Sequence, residues 1–463
     1  MSTGRDVLMG TIAVAPCGHC DIDALPHFSR YHDPLPIPAS VTTPGELLDV
    51  TCPFCGLACD DLVVRVKDGQ LAVQANGCPL AVAGFGRPAA SPAATPRLKG
   101  RSVSLAEAAA DAARILGGSR QPLVAGLGTD VEGARAAARL ADRIGGVLDH
   151  MNSGAAIRNT LVLQDSGWVI TTLSEIRNRA DLFVAVGGDV LSRFPRFFER
   201  CLANRETLFG DAREVEVIFV GRGPAPGTTI PGITSRVIAC DVSRLQEALG
   251  LMRALLAGRP VRATEAAGVP LSVWQDLADR MKGSRYGVAA WAAPDFDFPH
   301  AELTIQSLCE LIKDLNRTTR FSGLALGGSE GDLTADSVAL WQTGFGSRTS
   351  YGQGTPDHDG YHYGTGALLQ GGADALLWIS SFNVSRTPPA TSTPTIVLGR
   401  EGMTLEREPE VFIPVGTPGV DHAGHYFRVD RVVALPLRQL RDSALPSVAE
   451  ALTAIEAALQ ERP

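Results

Sequence analysis

Nowhere in this 463-residue chain does an apolar stretch reach 18 residues without an interrupting Gly, Pro or charged residue, so no segment is a candidate for a membrane-spanning helix. No positively charged flank precedes a secretory apolar region, and the expectation is a cytoplasmic protein that binds no membrane. Basic residues form no long run and the formal net charge is -8, which argues against general attraction to nucleic acid. Nine cysteines are too few for a disulfide-built secreted domain. The sequence has no GK[ST] phosphate loop, no dinucleotide glycine spacing and no zinc-protease motif, and no stretch reads as a nucleophile elbow.

What is present is concentrated. Six of the nine cysteines lie before position 79, and four of them form the run TCPFCGLACDD followed by GCP: Cys52, Cys55, Cys59 and Cys78. Close thiolates separated by two and three residues can bend toward one ion. Structural zinc and a four-cysteine 4Fe–4S cluster both satisfy that donor set, and buried free thiols are the alternative. Cys17, His19 and Cys20 carry donor atoms for a second site, but no third or fourth ligand is evident, and ordinary thiols with a surface-packed histidine are the plainer reading.

The length and the 45% hydrophobic content predict two to four globular domains. Residues 1–50 read as a proline-rich arm, with Pro16, Pro26, Pro34, Pro36, Pro38 and Pro44 excluding a long helix. Residues 51–100 read as a small four-cysteine metal and hairpin domain plus linker, its two strands joined at Lys67–Asp68–Gly69. Residues 101–265 and 266–400 alternate helical and strand patterns and predict two α/β domains. Residues 401–463 add strands and a helix that pack back on them.

Other candidate groups carry less. Gly126, Gly128 and Gly133, and Gly187 and Gly188, follow apolar strands where ligands commonly bind, yet tight turns explain them equally well. Asp130, Glu132, Asp181, Asp189, His358, His362, His422 and His425 are possible acid/base groups or ligands. Gly360 and Gly364 argue that His358 and His362 lie on a loop, and surface or hydrogen-bonded roles are the simpler reading of all of them.

Five ordered blocks nevertheless carry a family pattern: TCPFCGLACDDLVVRV, QPLVAGLGTDVEGARAAARLADRIGGVLDH, IRNRADLFVAVGGDVLSRFPRF, LGGSEGDLTADSVALWQTGFG and FIPVGTPGVDHAGHYFRVDRVVALPLR. From about residue 50 to 438 the chain resembles the B subunit of formylmethanofuran dehydrogenase, and in particular its bacterial relative in the formyltransferase/hydrolase complex. The resemblance implies an α/β multidomain fold like a reduced molybdopterin or tungstopterin oxidoreductase large subunit, with a small N-terminal cysteine-ligated metal domain. It places the cluster ligands at Cys52, Cys55, Cys59 and Cys78. It also aligns the turn that carries the tungsten- or molybdenum-binding thiolate with LGTDVEG, so that Val131 stands at the ligand position. Valine has no lone pair for a metal, and a Cys–His pair of the family falls on Asn152–Ser153–Gly154–Ala155–Ala156. Arg177, Asn178, Arg179, Arg196 and the stretch Asp421–Arg428 match the pterin surroundings and are assigned no catalytic role.

The resemblance therefore implies a subunit with no activity of its own, without pterin or Mo/W, retaining structural zinc or a 4Fe–4S cluster. It would scaffold a hetero-oligomer with a formyltransferase, a metal-dependent hydrolase and a third, C-type subunit, converting formyl-tetrahydromethanopterin to formate through a methanofuran-like carrier. The alternatives are an active pterin-metal dehydrogenase subunit, or a small-molecule binding module built on the vacated pocket. A deep polar cavity bordered by Gly128, Thr129, Asn152 and Arg196 would favour the latter.

Overall fold

The computed structural model describes residues 45–91, 94–203, 206–208, 214–224, 228 and 230–460. Cys17, His19, Cys20 and the arm before residue 45 lie outside the described residues. The chain divides into two units, residues 1–44 and 45–463, and the second holds everything that follows.

Two parallel sheets organise that unit. One has five strands in the order Thr234–Ile238, Glu216–Gly221, Leu182–Gly187, Gly287–Ala292 and Phe321–Leu326, all parallel. Alternate residues of these strands enter different cores. Phe183, Val217, Phe219 and Val288 face one cluster, while Val184, Ile218, Val220 and Trp291 face another. Burial on both faces is why these segments read as continuous apolar runs in the sequence.

The other sheet has nine strands, with a parallel centre of Val147–Leu148, Pro122–Gly128, Ala375–Ser380, Thr395–Gly399 and Val411–Pro414. Its edges are antiparallel additions, Arg97–Leu98 with Arg101–Ser102 on one side and Thr349–Ser350 with Asp357–His358 on the other. Each sheet thus draws strands from both sides of residue 265. Alanine-rich helices Leu105–Gly117 and Val131–Arg143 pack with the C-terminal helix Val448–Gln460 over one face. Ser104 caps the first of these through a reciprocal bond with Glu107, as its sequence spacing suggests.

The cysteine-bearing segment is not a separate metal domain. Its three antiparallel strands, Glu46–Val50, Leu62–Lys67 and Gln70–Ala75, turn at Asp68 and Gly69, both left-handed. Val50, Leu62, Val64 and Leu71 share a single core with Phe183, Phe197, Phe198 and Phe219 of the five-stranded sheet and its helices. A segment that buries its face against a neighbour needs no metal cross-link to be stable, which is the reason the expected domain is absent. Among the described residues, no helix is long and apolar enough to cross a membrane.

Candidate functional site at the strand ends

Cys52, Cys55 and Cys59 lie on the loop between the first two strands, and Cys78 precedes the helix Pro79–Phe85. The loop is closed by the Cys52 amide donating to the Cys59 carbonyl (2.8 Å) and by the Ala58 amide donating to the Cys55 carbonyl (3.1 Å). Gly56 is held against other backbone: a Cβ there would meet the Gly327 carbonyl at 2.2 Å. The first three thiols are buried and belong to the apolar core. Burial pushes Cys52 well above the ordinary thiol range, Cys55 up to about 11 and Cys59 up to about 12. Among the described residues, no three or more His, Cys, Asp or Glu side chains are grouped to hold a metal ion. The expected zinc or 4Fe–4S site at Cys52, Cys55, Cys59 and Cys78 is therefore corrected: the first three are core side chains, and Cys78 packs partly buried against that core.

Across the nine-stranded sheet, the strand Pro122–Gly128 leads through Thr129 and Asp130 into the helix that begins at Val131. Gly126 and Leu127 are both left-handed, and register with Ala375–Ser380 slips between Trp378 and Ser380. The resulting bulge re-aims the end of the strand. Asp130 caps the helix, accepting from the Gly133 amide (3.1 Å) and from Thr129 Oγ1 (3.1 Å). Val131 is 7% exposed and joins Val124, Leu127 and Ala134 in the core.

The turn is covered by backbone. A Cβ at Gly331 would come within 2.5 Å of the Thr129 carbonyl, and one at Gly424 within 2.4 Å of Asp130 Oδ2. Phe382 and Tyr426 fill in beside it, edge to face with ring centroids 5.8 Å apart. A pterin-bound tungsten or molybdenum does not fit here, because residue 131 offers no donor and the space over the turn is taken. The same packing counts against a small-molecule module in this place: Thr129 is fully buried, and Asn152 and Arg196 are committed to protein partners.

Those partners form a polar plug that the sequence reading missed. Asn152 Nδ2 donates to Asp332 Oδ2 (2.8 Å) and Ser329 Oγ (3.1 Å), and Arg386 donates to Asn152 Oδ1. Asn383 Nδ2 donates to Glu330 Oε1 (3.1 Å), while Glu330 Oε2 and His422 Nε2 are buried without hydrogen-bond partners among the described residues. Burial raises the carboxyl groups of Asp130, Glu330 and Asp332 above the ordinary carboxylate range. The signal available in sequence was the run Gly327–Gly328–Ser329–Glu330–Gly331 between a strand and a helix, which has the G-x-S-x-G spacing. It is not a nucleophile elbow, since the left-handed non-glycine residue is Glu330 rather than Ser329 and Ser329 Oγ receives an amide, not a histidine.

Arg196 has its guanidinium closed on Asp61 (2.7 and 2.8 Å), with further bonds to Glu199 and the Asn76 carbonyl. Burial alone would depress it, and the bonds to Asp61 and Glu199 carry it upward instead. Arg179 pairs with Glu175 (2.7 Å), Arg177 donates to the Arg200 carbonyl (2.9 Å), and Asn178 bridges Ser174 and Leu208. Asp421 pairs with Arg441 (2.6 Å), and His425 is exposed. Asp181 accepts from the amides of Arg285 and Tyr286, and Asp189 caps a short helix. His358 stacks on Phe345 and His362 pairs with Asp359 (2.8 Å) on the surface. None of these is gathered into a catalytic constellation.

No protein-family model matches the chain. It is 30% identical over 335 residues to the B subunit of the formyltransferase/hydrolase complex of Methylorubrum extorquens, covering 71% of this chain and 86% of that one. It is 24% identical to the B subunit of the tungsten-containing formylmethanofuran dehydrogenase 2 of Methanocaldococcus jannaschii, over 85% of this chain and 93% of that protein. Among solved structures it is similar to a chain of the Methylorubrum extorquens formyltransferase/hydrolase complex crystallised with methylofuran. That match has a TM-score of 0.67 and 30% identity, covering 79% of this chain and 99% of the other.

Proposed function

The chain belongs to the B-subunit family shared by formylmethanofuran dehydrogenases and formyltransferase/hydrolase complexes, and from that premise we propose that it is the non-catalytic scaffold subunit of a formyltransferase/hydrolase complex of one-carbon metabolism. The observation that carries this reading is the turn Thr129–Asp130–Val131, where an apolar residue starts the helix and Gly331 and Gly424 close over it. The complex would move a formyl group from a tetrahydromethanopterin derivative to a methanofuran-like amine, then hydrolyse the formyl amide to formate. Hydrolysis exchanges no electrons, so a subunit with a redox ancestor's fold has no redox step to perform. Transfer and hydrolysis reside in the formyltransferase and hydrolase partners, a C-type subunit completes the hetero-oligomer, and the assembly works in the cytoplasm.

Co-expression with the partner subunits tests this. The chain should co-elute with them, its deletion should reduce both transfer and hydrolysis by dispersing the complex, and Asn152→Ala in the intact complex should change turnover by less than twofold. A monomeric chain whose deletion leaves both activities unchanged would overturn the proposal, as would loss of turnover in an assembled Asn152→Ala complex.

A further inference from the structure

Away from the plugged turn, a half-open pocket of about 100 Å³ lies where the cysteine loop, the helix Leu173–Arg179, the helix Phe197–Cys201 and the segment around Arg428 meet. Leu57 contributes apolar surface, and Arg177, Arg200 and Arg428 bring three guanidinium groups against a single lining carboxylate, that of Asp60. Two of the three are already engaged: Arg200 with Asp60 (2.6 Å) and Asp61 (2.5 Å), and Arg428 with the fully buried carboxylate of Asp430 (2.7 Å). Asp61 is also shared with Arg196. Arg177 differs. It donates from Nη1 to the Arg200 carbonyl, and among the described residues it has no ion-pair partner. A guanidinium carries five N–H donors in a planar fork, so Arg177 retains donors at the pocket, with Ser174 lining it one helical turn away.

We propose that this pocket binds a small oxyanion, a carboxylate such as formate or an inorganic phosphate, on the Arg177 fork, with Arg200 and Arg428 held at its wall by their own carboxylates. The volume suits a ligand of a few heavy atoms. Paired two-oxygen recognition is what a guanidinium fork favours. The inference does not rest on the scaffold reading.

Isothermal titration of the full chain with sodium formate and, separately, sodium phosphate at constant ionic strength tests it, with sodium chloride as the control. Saturable binding of either anion is expected, formate alone assigning a carboxylate site and phosphate alone a phosphate site. Arg177→Gln, at an exposed position, should weaken binding tenfold or more with its melting curve unchanged. Arg114→Gln, remote on the helix Leu105–Gly117, should change it less than twofold. Absence of saturation, or equal binding by the Arg177→Gln chain, overturns the proposal. So does an assembled complex that no longer binds either anion and whose assembly requires Arg177, since an acidic side chain of a partner would then be the occupant.

Discussion

Arg196 and Asp61, 135 positions apart in sequence, meet fork to fork, Nη1 on Oδ1 at 2.7 Å and Nη2 on Oδ2 at 2.8 Å. The arginine side chain is almost fully buried while the carboxylate is a third exposed. The pair fastens the N-terminal three-stranded sheet to the loop before the helix Phe197–Cys201.

Asp61→Asn should therefore lower stability by about 1–3 kcal/mol, the range for leaving a hydrogen-bonded charged group without its partner. Burial alone would raise the Asp61 carboxyl, but Arg196 and Arg200 hold it below its ordinary value. Its contribution is present above the unfolded carboxylate range and is lost as pH falls through the lowered folded value. Denaturant midpoints across the acid range would show the wild type losing this increment and Asp61→Asn lacking it. Equal midpoints near neutral pH would refute the assignment.

Glu330 has the opposite sign. Burial raises its carboxyl above the ordinary value, and one oxygen has no hydrogen-bond partner among the described residues. The protonated form is favoured in the fold, so stability is greatest below the unfolded value and declines as pH rises through the raised one. Glu330→Gln keeps the acceptor used by Asn383 and removes the charge, so its melting temperature should be flatter from acid to neutral pH. A slope identical to that of the wild type would sink the idea.

Gly331 is left-handed and its missing Cβ would lie 2.5 Å from the Thr129 carbonyl. Gly331→Ala combines left-handed strain of about 1–2 kcal/mol with overpacking of about 1–3 kcal/mol. Gly344, left-handed as well but with open space around it, is the matched control, and Gly344→Ala should shift thermal unfolding less. Comparable shifts for the two variants would show that the turn is not tightly covered.

Cys52, Cys55 and Cys59 should resist maleimide labelling in the native chain and react once it is unfolded, as mapped by mass spectrometry. Treatment with a strong chelator should leave the melting temperature within a degree or so, because burial rather than metal holds the loop. Rapid native labelling at all three positions, or a large chelator-induced loss, would contradict the packing described.

Local chemistry made much of this legible. The hairpin at Lys67–Asp68–Gly69, the Ser104 cap and the strand Ala375–Ser380 all follow from residues a few positions apart. Partnership at distance did not. Nothing in the periodicity of Pro122–Gly128 says that its neighbour is Ala375–Ser380, since both read simply as buried strands. The cysteine spacing points to a metal site because it is blind to the core that Phe183 and Phe219 bring to the sulfurs. The plug was hidden for a related reason: Asn152, Asp332 and Arg386 become one network only when three remote loops converge.

The interleaving of the two sheets bears on how the chain is made. During synthesis Pro122–Gly128 leaves the ribosome long before Ala375–Ser380 and Val411–Pro414, while the five-stranded sheet is complete once Phe321–Leu326 emerges. The intervening sheet can therefore assemble first, leaving an unpaired strand edge exposed for some 250 residues of translation, at least ~12 s at the upper elongation rate of ~20 residues/s. Such an edge is a target for chaperones and for misassociation, so yield of the soluble chain should depend on chaperone supply more steeply than its final stability would suggest.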